Sequence, residues 1–403
     1  MHQEYDYKIK GSLPLYIHAC GFNSALGATP ELVHERLSKG ESPDMVPGGG
    51  FLNTDQETVV GKVISILPEI PEVIWNSGNN RLALSALSQI AESVEQAVKR
   101  YGADRVAIVA GTSTSGIADG ENALLCQMQT GQFHSDYFYA HQEIGNLSEF
   151  IAAHFGIKGA AYTISTACSS SGRAFISAAR LLRSGMADVV IVGGADSLCR
   201  LTMNGFQALE SLSETLCNPF SRNRNGINIG EGAAFFVLSR DACKDDITLL
   251  GFGDSSDAHH ISAPHPEGKG AEEAMRRALD DAGLAPEAIG YINAHGTATV
   301  LNDEMEAKAI YRLFGDRVPV SSTKPLTGHA LGAASAIEAA ICWHMLHHRL
   351  DIPAQVNDNQ FPEDFLPIRL AQSGDRLEKS AVISNSFAFG GNNVSLIFGI
   401  PNE

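Results

Sequence analysis

The chain contains no apolar run approaching the ~20 residues needed to span a bilayer. Its first stretch, Met1 to Lys10, is polar where an export signal needs an apolar segment, so the expected location is the cytoplasm. Cysteine is scattered: seven residues, an odd set without a CxxC pair, argue against a disulfide framework and against a zinc site, and predict reduced thiols. Basic runs are absent as well. With 29 Lys and Arg against 46 Asp and Glu, the net charge of −17 argues against nucleic acid as a partner. No low-complexity linker interrupts the 403 residues, and at 44% hydrophobic and 19% charged the chain can bury a large core as one large or two intimate domains.

What is present concentrates around one cysteine. Cys168 sits in Thr166-Ala167-Cys168-Ser169-Ser170-Ser171-Gly172, after an apolar run and before a helix-like segment, Arg173 to Leu182. A thiol at a helix N-terminus feels unpaired amides and the positive end of the helix dipole, which favour thiolate. Ala167, Ser169, Ser170 and Gly172 leave room for a substrate carbonyl and for backbone N–H groups aimed at an oxyanion. A free Cys is more often a small buried hydrophobe, so the motif gains its weight from two distant histidine loops. These are Asn293-Ala294-His295-Gly296-Thr297-Ala298-Thr299, leading toward Asp303 and Glu306, and Ser322-Thr323-Lys324-Pro325-Leu326-Thr327-Gly328-His329. Both follow strand-like runs, where a ring nitrogen can project into a cavity.

With Asn218-Pro219-Phe220 to Arg224-Asn225-Gly226 and Gly230-Glu231-Gly232-Ala233, and with Asn385-Ser386-Phe387-Ala388-Phe389-Gly390-Gly391-Asn392-Asn393, nearly the whole chain resembles the β-ketoacyl-acyl-carrier-protein synthases, the decarboxylating elongation enzymes of type II fatty acid and polyketide systems. The resemblance implies that Cys168 accepts the acyl group, that His295 and His329 are the decarboxylation pair, and that Lys324 is the active-site lysine. It implies an oxyanion held by the N–H groups of Cys168 and Phe389, with Phe389 as a gate and Thr297 and Thr299 on the pantetheine arm. Lys324 is expected beside His329, orienting groups, with Glu338 anchoring it from the following helix. Thr297 and Thr299 could instead cap the next helix. Asp303 and Glu306 are expected to bind backbone groups or basic partners.

No bound cofactor is implied; the phosphopantetheine arrives on the acyl carrier protein, the expected partner. Because such carriers are acidic, docking needs a local basic patch, with Arg222 and Arg224, or Arg81, Lys99 and Arg100, as candidates. Asn218 stands where family members often carry Arg. The resemblance also implies a dimer, either a homodimer or a heterodimer with a chain-length-factor-like homologue. A thiolase would carry a second Cys where Phe387 to Gly391 stands, and a chain-length factor would lack the nucleophile. Departures at Ser221 to Gly226 and Asn357 to Phe361 tilt the reading toward a specialised pathway, such as aromatic polyketides or aryl polyenes. The Gln127 to Tyr139 stretch and Gly111 to Gly116 are expected at the acyl pocket or the dimer contact.

The chain echoes itself. Val106 to Ala110 matches Tyr291 to Ala294, Tyr162 to Thr166 matches Val318 to Thr323, and Asp188 to Gly194 matches Ala381 to Ser384. Continuous apolar strands alternating with helices such as Arg81 to Arg100 and Gly270 to Ala282 predict an α/β fold with sheets buried on both faces. The resemblance makes this a thiolase fold: two duplicated βαβ halves in five αβαβα layers, 1–247 carrying the cysteine and 248–403 both histidines, with the seam at Arg240 to Thr248.

Other signals are weaker. His344, His347 and His348 have helical spacing but read as a solvated helix face, as do His259, His260 and His265. Gly251-Phe252-Gly253 lacks a dinucleotide site's third glycine. Ser321-Ser322-Thr323-Lys324 matches the S-x-x-K of serine acylases without a following K-T-G or S-D-N.

Overall fold

A computed structural model describes residues 13–243 and 247–400. Met1 to Lys10 and the middle of the expected seam lie outside the described residues. Eleven strands form one sheet: β1 (Leu15–Ser24), β2 (Val106–Gly111), β3 (Ala161–Ile164), β4 (Val189–Asp196), β5 (Gly232–Ser239), β6 (Ile247–Ser256), β7 (Ile289–Asn293), β8 (Pro319–Ser321), β9 (Arg369–Leu370), β10 (Ala381–Ala388) and β11 (Asn392–Gly399). Their spatial order is β9-β8-β7-β10-β11-β6-β1-β5-β4-β2-β3.

The expected duplication is visible in this order. Reading outward from the β1–β6 junction, β1-β5-β4-β2-β3 and β6-β11-β10-β7-β8 repeat the same connectivity. Both have two antiparallel pairings followed by two parallel ones. The three sequence echoes fall on β2 and β7, β3 and β8, and β4 and β10, the strands that occupy equivalent places. The halves are joined by main-chain pairing of Leu15 with Leu249 and Ile17 with Ile247, which sequence reasoning did not foresee. Periodicity reports side-chain faces but not which edges meet.

Strand alternation builds the layers. In β5, Ala234, Phe236 and Leu238 enter a central core, whereas Ala233, Phe235 and Val237 enter an outer one. Two helices fill the centre: α1 (Ser170–Arg183) and α2 (Ala334–His348). Residues 334–346 of α2 are buried all round, as expected for a helix apolar on every face. The central core joins these helices to strands of both halves, and separate cores on the outer faces complete the five layers.

The expected helix Arg81 to Arg100 is two helices, Gly78–Leu87 and Ala91–Tyr101, separated by a 3₁₀ turn at Ser88–Ile90. Gly251 and Gly253 lie in β6 against the helix Lys269–Ala282, where added Cβ atoms would meet the Ala282 nitrogen and the Ala274 carbonyl. Their role is close packing. Among the described residues no helix is long and apolar enough to cross a membrane.

Candidate active site

The turn from β3 into α1 presents Cys168. Ala167 adopts φ 52°, a left-handed conformation that a non-glycine residue rarely holds. Ser170 secures the turn, its Oγ accepting from Thr166 N at 2.9 Å and donating to the Ala167 carbonyl at 2.6 Å. A Cβ on Gly111 would collide with the Ser171 amide, so only glycine lets β2 approach α1 this closely. Cys168 is 5% exposed, and the Phe389 and Cys168 amides act to lower its thiol. Burial pushes the thiol up to about 12, against the opposing pull of Lys324 and those amides. The helix terminus alone favoured a thiolate; desolvation reverses that expectation, and the resting sulfur keeps its proton.

Each histidine is held through its backbone. Glu306 accepts from His295 N at 2.8 Å and Gly296 N at 2.7 Å. Asp303 accepts from Ala298 N at 3.0 Å and Phe220 N at 2.8 Å. Both carboxylates therefore serve backbone groups, as expected from their positions. Burial raises Asp303 to about 6 and Glu306 to about 8 despite these bonds. His329 N donates to Asn228 O at 2.7 Å, and His329 O accepts from Gly230 N at 3.0 Å.

The distant loops converge. Ligand-capable atoms of Cys168, His295 and His329 all lie within 4.8 Å of one another, and the two imidazole rings stand 5.4 Å apart at 84°. Burial first, and then the Lys324 charge, hold both imidazoles well below their ordinary range, so they are neutral near pH 7. Neither His329 ring nitrogen has a hydrogen-bond partner among the described residues. A neutral imidazole can accept the Cys168 proton and can donate to a developing oxyanion.

Lys324 pairs with Glu338 of α2, donates to the His295 carbonyl and lies 3.5 Å from His295 Nδ1. The Glu338 anchor is thus where it was expected, but the contacts of Lys324 fall on His295 and not on His329. The Ser-x-x-K match has no catalytic geometry, since Ser321 Oγ donates to the Pro353 carbonyl at 2.7 Å.

Toward the surface, Phe389 packs 5.6 Å from Phe206 and, with Thr299, borders a cavity of about 270 Å³. The Thr297 and Thr299 hydroxyls are 3.0 Å apart. Thr299 occupies the N-cap position of the helix Val300–Phe314 without a side-chain capping bond, which removes the structural alternative for its hydroxyl. Arg224 donates to the Val300 carbonyl, and Arg222 and Arg224 line a neighbouring groove that shares Val300 with this cavity. Arg81 instead donates to the Pro68 and Leu67 carbonyls, and Arg100 pairs with Asp241.

Two features escaped sequence reasoning. Asp196, wholly buried at the end of β4, accepts from Thr112 Oγ1, Ser113 N, Thr114 N, Thr114 Oγ1 and Ala333 N, tying the Gly111 to Gly116 loop to the start of α2. The Gly193-Gly194-Ala195-Asp196 strand end was its available signal. His344 is buried rather than solvated, although His347 and His348 are exposed. His34, from another helix, joins it. His259 and His260 are exposed, but in a loop and not on a helix. The Gln127 to Tyr139 stretch presents Met128, Phe133 and Tyr139 outward, so these side chains do not line an interior pocket of the single chain.

Models of the beta-ketoacyl synthase N-terminal and C-terminal domains match residues 77–243 and 247–358. A mitochondrial 3-oxoacyl-[acyl-carrier-protein] synthase of Arabidopsis thaliana is 35% identical over 320 residues, 73% of this chain and 68% of that one. The 3-oxoacyl-[acyl-carrier-protein] synthase 2 of Staphylococcus aureus is 33% identical over 332 residues, 78% of this chain and 82% of that one. A chain of the solved complex between a ketosynthase and its chain length factor from Xenorhabdus doucetiae superposes with a TM-score of 0.93 at 46% identity, covering 99% of this chain and 100% of that one. Matched along most of its length by both domains and by these relatives, the chain belongs to the β-ketoacyl synthase family.

Proposed function

We propose that this enzyme catalyses decarboxylative Claisen condensation of malonyl-acyl-carrier-protein with an acyl group held on Cys168, giving a β-ketoacyl chain two carbons longer. The observation that carries this reading is the convergence of Cys168, His295 and His329 within 4.8 Å.

In the first half-reaction Cys168 passes its proton to a neutral imidazole and attacks the acyl thioester. The S–C bond to cysteine forms as the carrier's phosphopantetheine thiol leaves and takes up the proton. In the second, the malonyl thioester oxygen sits between the His295 and His329 donors, which stabilise the charge that develops as the C–CO₂ bond breaks. The resulting carbanion attacks the acyl-cysteine carbonyl. Its tetrahedral oxyanion is held by the Cys168 and Phe389 amides, and collapse expels Cys168 as a thiolate, which takes up a proton from water. Lys324 sets the field around His295, Glu338 compensates its charge, and Thr297 and Thr299 hold the pantetheine arm at the mouth guarded by Phe389. Arg222 and Arg224, beside that mouth, are the favoured carrier-docking charges. We place the enzyme in the cytoplasm, where thiols such as its free cysteines stay reduced.

A second reading, activity only as a heterodimer with a chain-length-factor-like homologue in a specialised pathway, is favoured by the 46% identity to a chain of such a complex. The outward apolar residues Leu124, Leu125, Met128 and Phe133 supply a surface for a subunit contact.

Intact mass measurement after incubation with a panel of acyl-carrier-protein thioesters tests both. An acyl mass gained by wild type and not by Cys168→Ala supports the solitary enzyme. No adduct with any donor, rescued by a co-purified homologue, supports the heterodimer.

A further inference from the structure

The second histidine cluster has no part in the condensation. His344 and His348 stand one turn apart on α2, and His34 faces them from the helix Pro30–Lys39. Their ring centroids lie 5.5 Å (His34 to His344), 4.5 Å (His34 to His348) and 5.6 Å (His344 to His348) apart. One nitrogen from each of the three falls within 4.8 Å of the others.

Several features set this group apart from incidental ring packing. His344 is only 4% exposed, yet its Nδ1 has no hydrogen-bond partner, and the buried Nε2 of His34 has none either. Leaving such buried groups unpaired is unfavourable, and ligation of an ion would relieve it. His347, by contrast, stacks on Trp343 at 4.4 Å and 11°, so it is already engaged elsewhere. Glu31 lies one turn before His34, where a carboxylate can join as a fourth ligand. His348 is exposed, and a cavity of about 430 Å³ borders His34, so solvent reaches both of these ligands.

We infer that His34, His344 and His348 form a binding site for one divalent transition-metal ion of the zinc, cobalt or nickel class, clamping the first helix to the central helix α2. Imidazole nitrogens select these ions over calcium and magnesium, which require oxygen ligands. Nitrogens at about 2.0–2.1 Å from a tetrahedral ion lie about 3.4 Å apart, a spacing reached from the present one by side-chain rotation. The ion acts by holding two helices together; no bond of the substrate passes through it. Because the other end of α2 carries Glu338, the clamp also steadies the element that supports Lys324.

The test is cobalt(II) binding to untagged, chelator-treated protein, with magnesium as the hard-cation control. Wild type, Cys168→Ala, His34→Gln and His348→Ala are compared by equilibrium dialysis, visible absorption and thermal unfolding. The expected result is one tight equivalent in wild type and in Cys168→Ala, d–d bands without a thiolate charge-transfer band, and a Tm raised by a few degrees. Both histidine variants should bind at least tenfold more weakly while keeping wild-type circular dichroism. His348 is exposed and His34 only half-buried, so folding of these two is expected. Absence of binding to wild type overturns the site, as does cobalt that persists in both histidine variants. A thiolate band lost in Cys168→Ala moves the ion to the catalytic cluster and also overturns it.

Discussion

Lys324 and Glu338 form an ion pair in which each side chain is 2% exposed, and the same ammonium lies 3.5 Å from His295 Nδ1. Neither charge is tolerable there alone. Glu338→Gln is expected to lower unfolding stability by about 3–5 kcal/mol, because it leaves an uncompensated buried cation. The double change Lys324→Met with Glu338→Leu should recover most of that loss while condensation stays slow, since the field at His295 is gone. Denaturant unfolding and turnover, measured on the same samples, separate the two effects.

Either neutral imidazole can take the Cys168 proton during loading, whereas decarboxylation uses both as donors. His329→Ala and His295→Ala should each retain acyl transfer to Cys168, seen as an intact-mass shift. Release of carbon dioxide from the malonyl thioester should fall by about 10²–10³, the usual cost of removing one oxyanion donor. Equal loss of both half-reactions would contradict the division of roles.

Glu306 gives a pH signature of defined sign. Burial raises it from 4.5 to about 8, so the folded state binds more protons than the unfolded chain between those values, and its contribution to stability declines as pH rises through that window. The stability difference between wild type and Glu306→Gln should therefore be largest below about pH 4.5 and shrink toward pH 8. Unfolding measured at several pH values reads this difference directly.

The paired hydroxyls at the cavity mouth should affect binding more than chemistry. Thr297→Val and Thr299→Val are each expected to cost about 0.5–1.5 kcal/mol in kcat/KM, carried mainly by KM for the carrier-bound substrate. A loss carried by kcat alone would place these side chains with the reacting atoms instead.

Much of the architecture was legible because its signals are local. Apolar runs at Val106 to Ala110 and Asp188 to Gly194 identify strands buried on both faces, and their echoes at Tyr291 to Ala294 and Ala381 to Ser384 disclose the duplication. The cysteine turn and both histidine loops carry the small residues that close backbone approach requires. Asp196 was not legible: one acid at a strand end looks ordinary until five donors from two separate segments meet it. His34 was missed for the same reason, since 310 positions of chain separate it from His344.

Local residue chemistry determined the strands, the nucleophile, the two histidine loops and the family. Tertiary structure decided what those parts do to one another. It joined the halves through Leu15 and Leu249, brought Lys324 to His295 rather than His329, and placed a third histidine against a helix face that had looked solvated. It also reversed the state of the nucleophile. A helix terminus favours thiolate by a local field, but the desolvation that raises Cys168 to about 12 comes from surroundings supplied by both halves of the chain, and no stretch of sequence contains them.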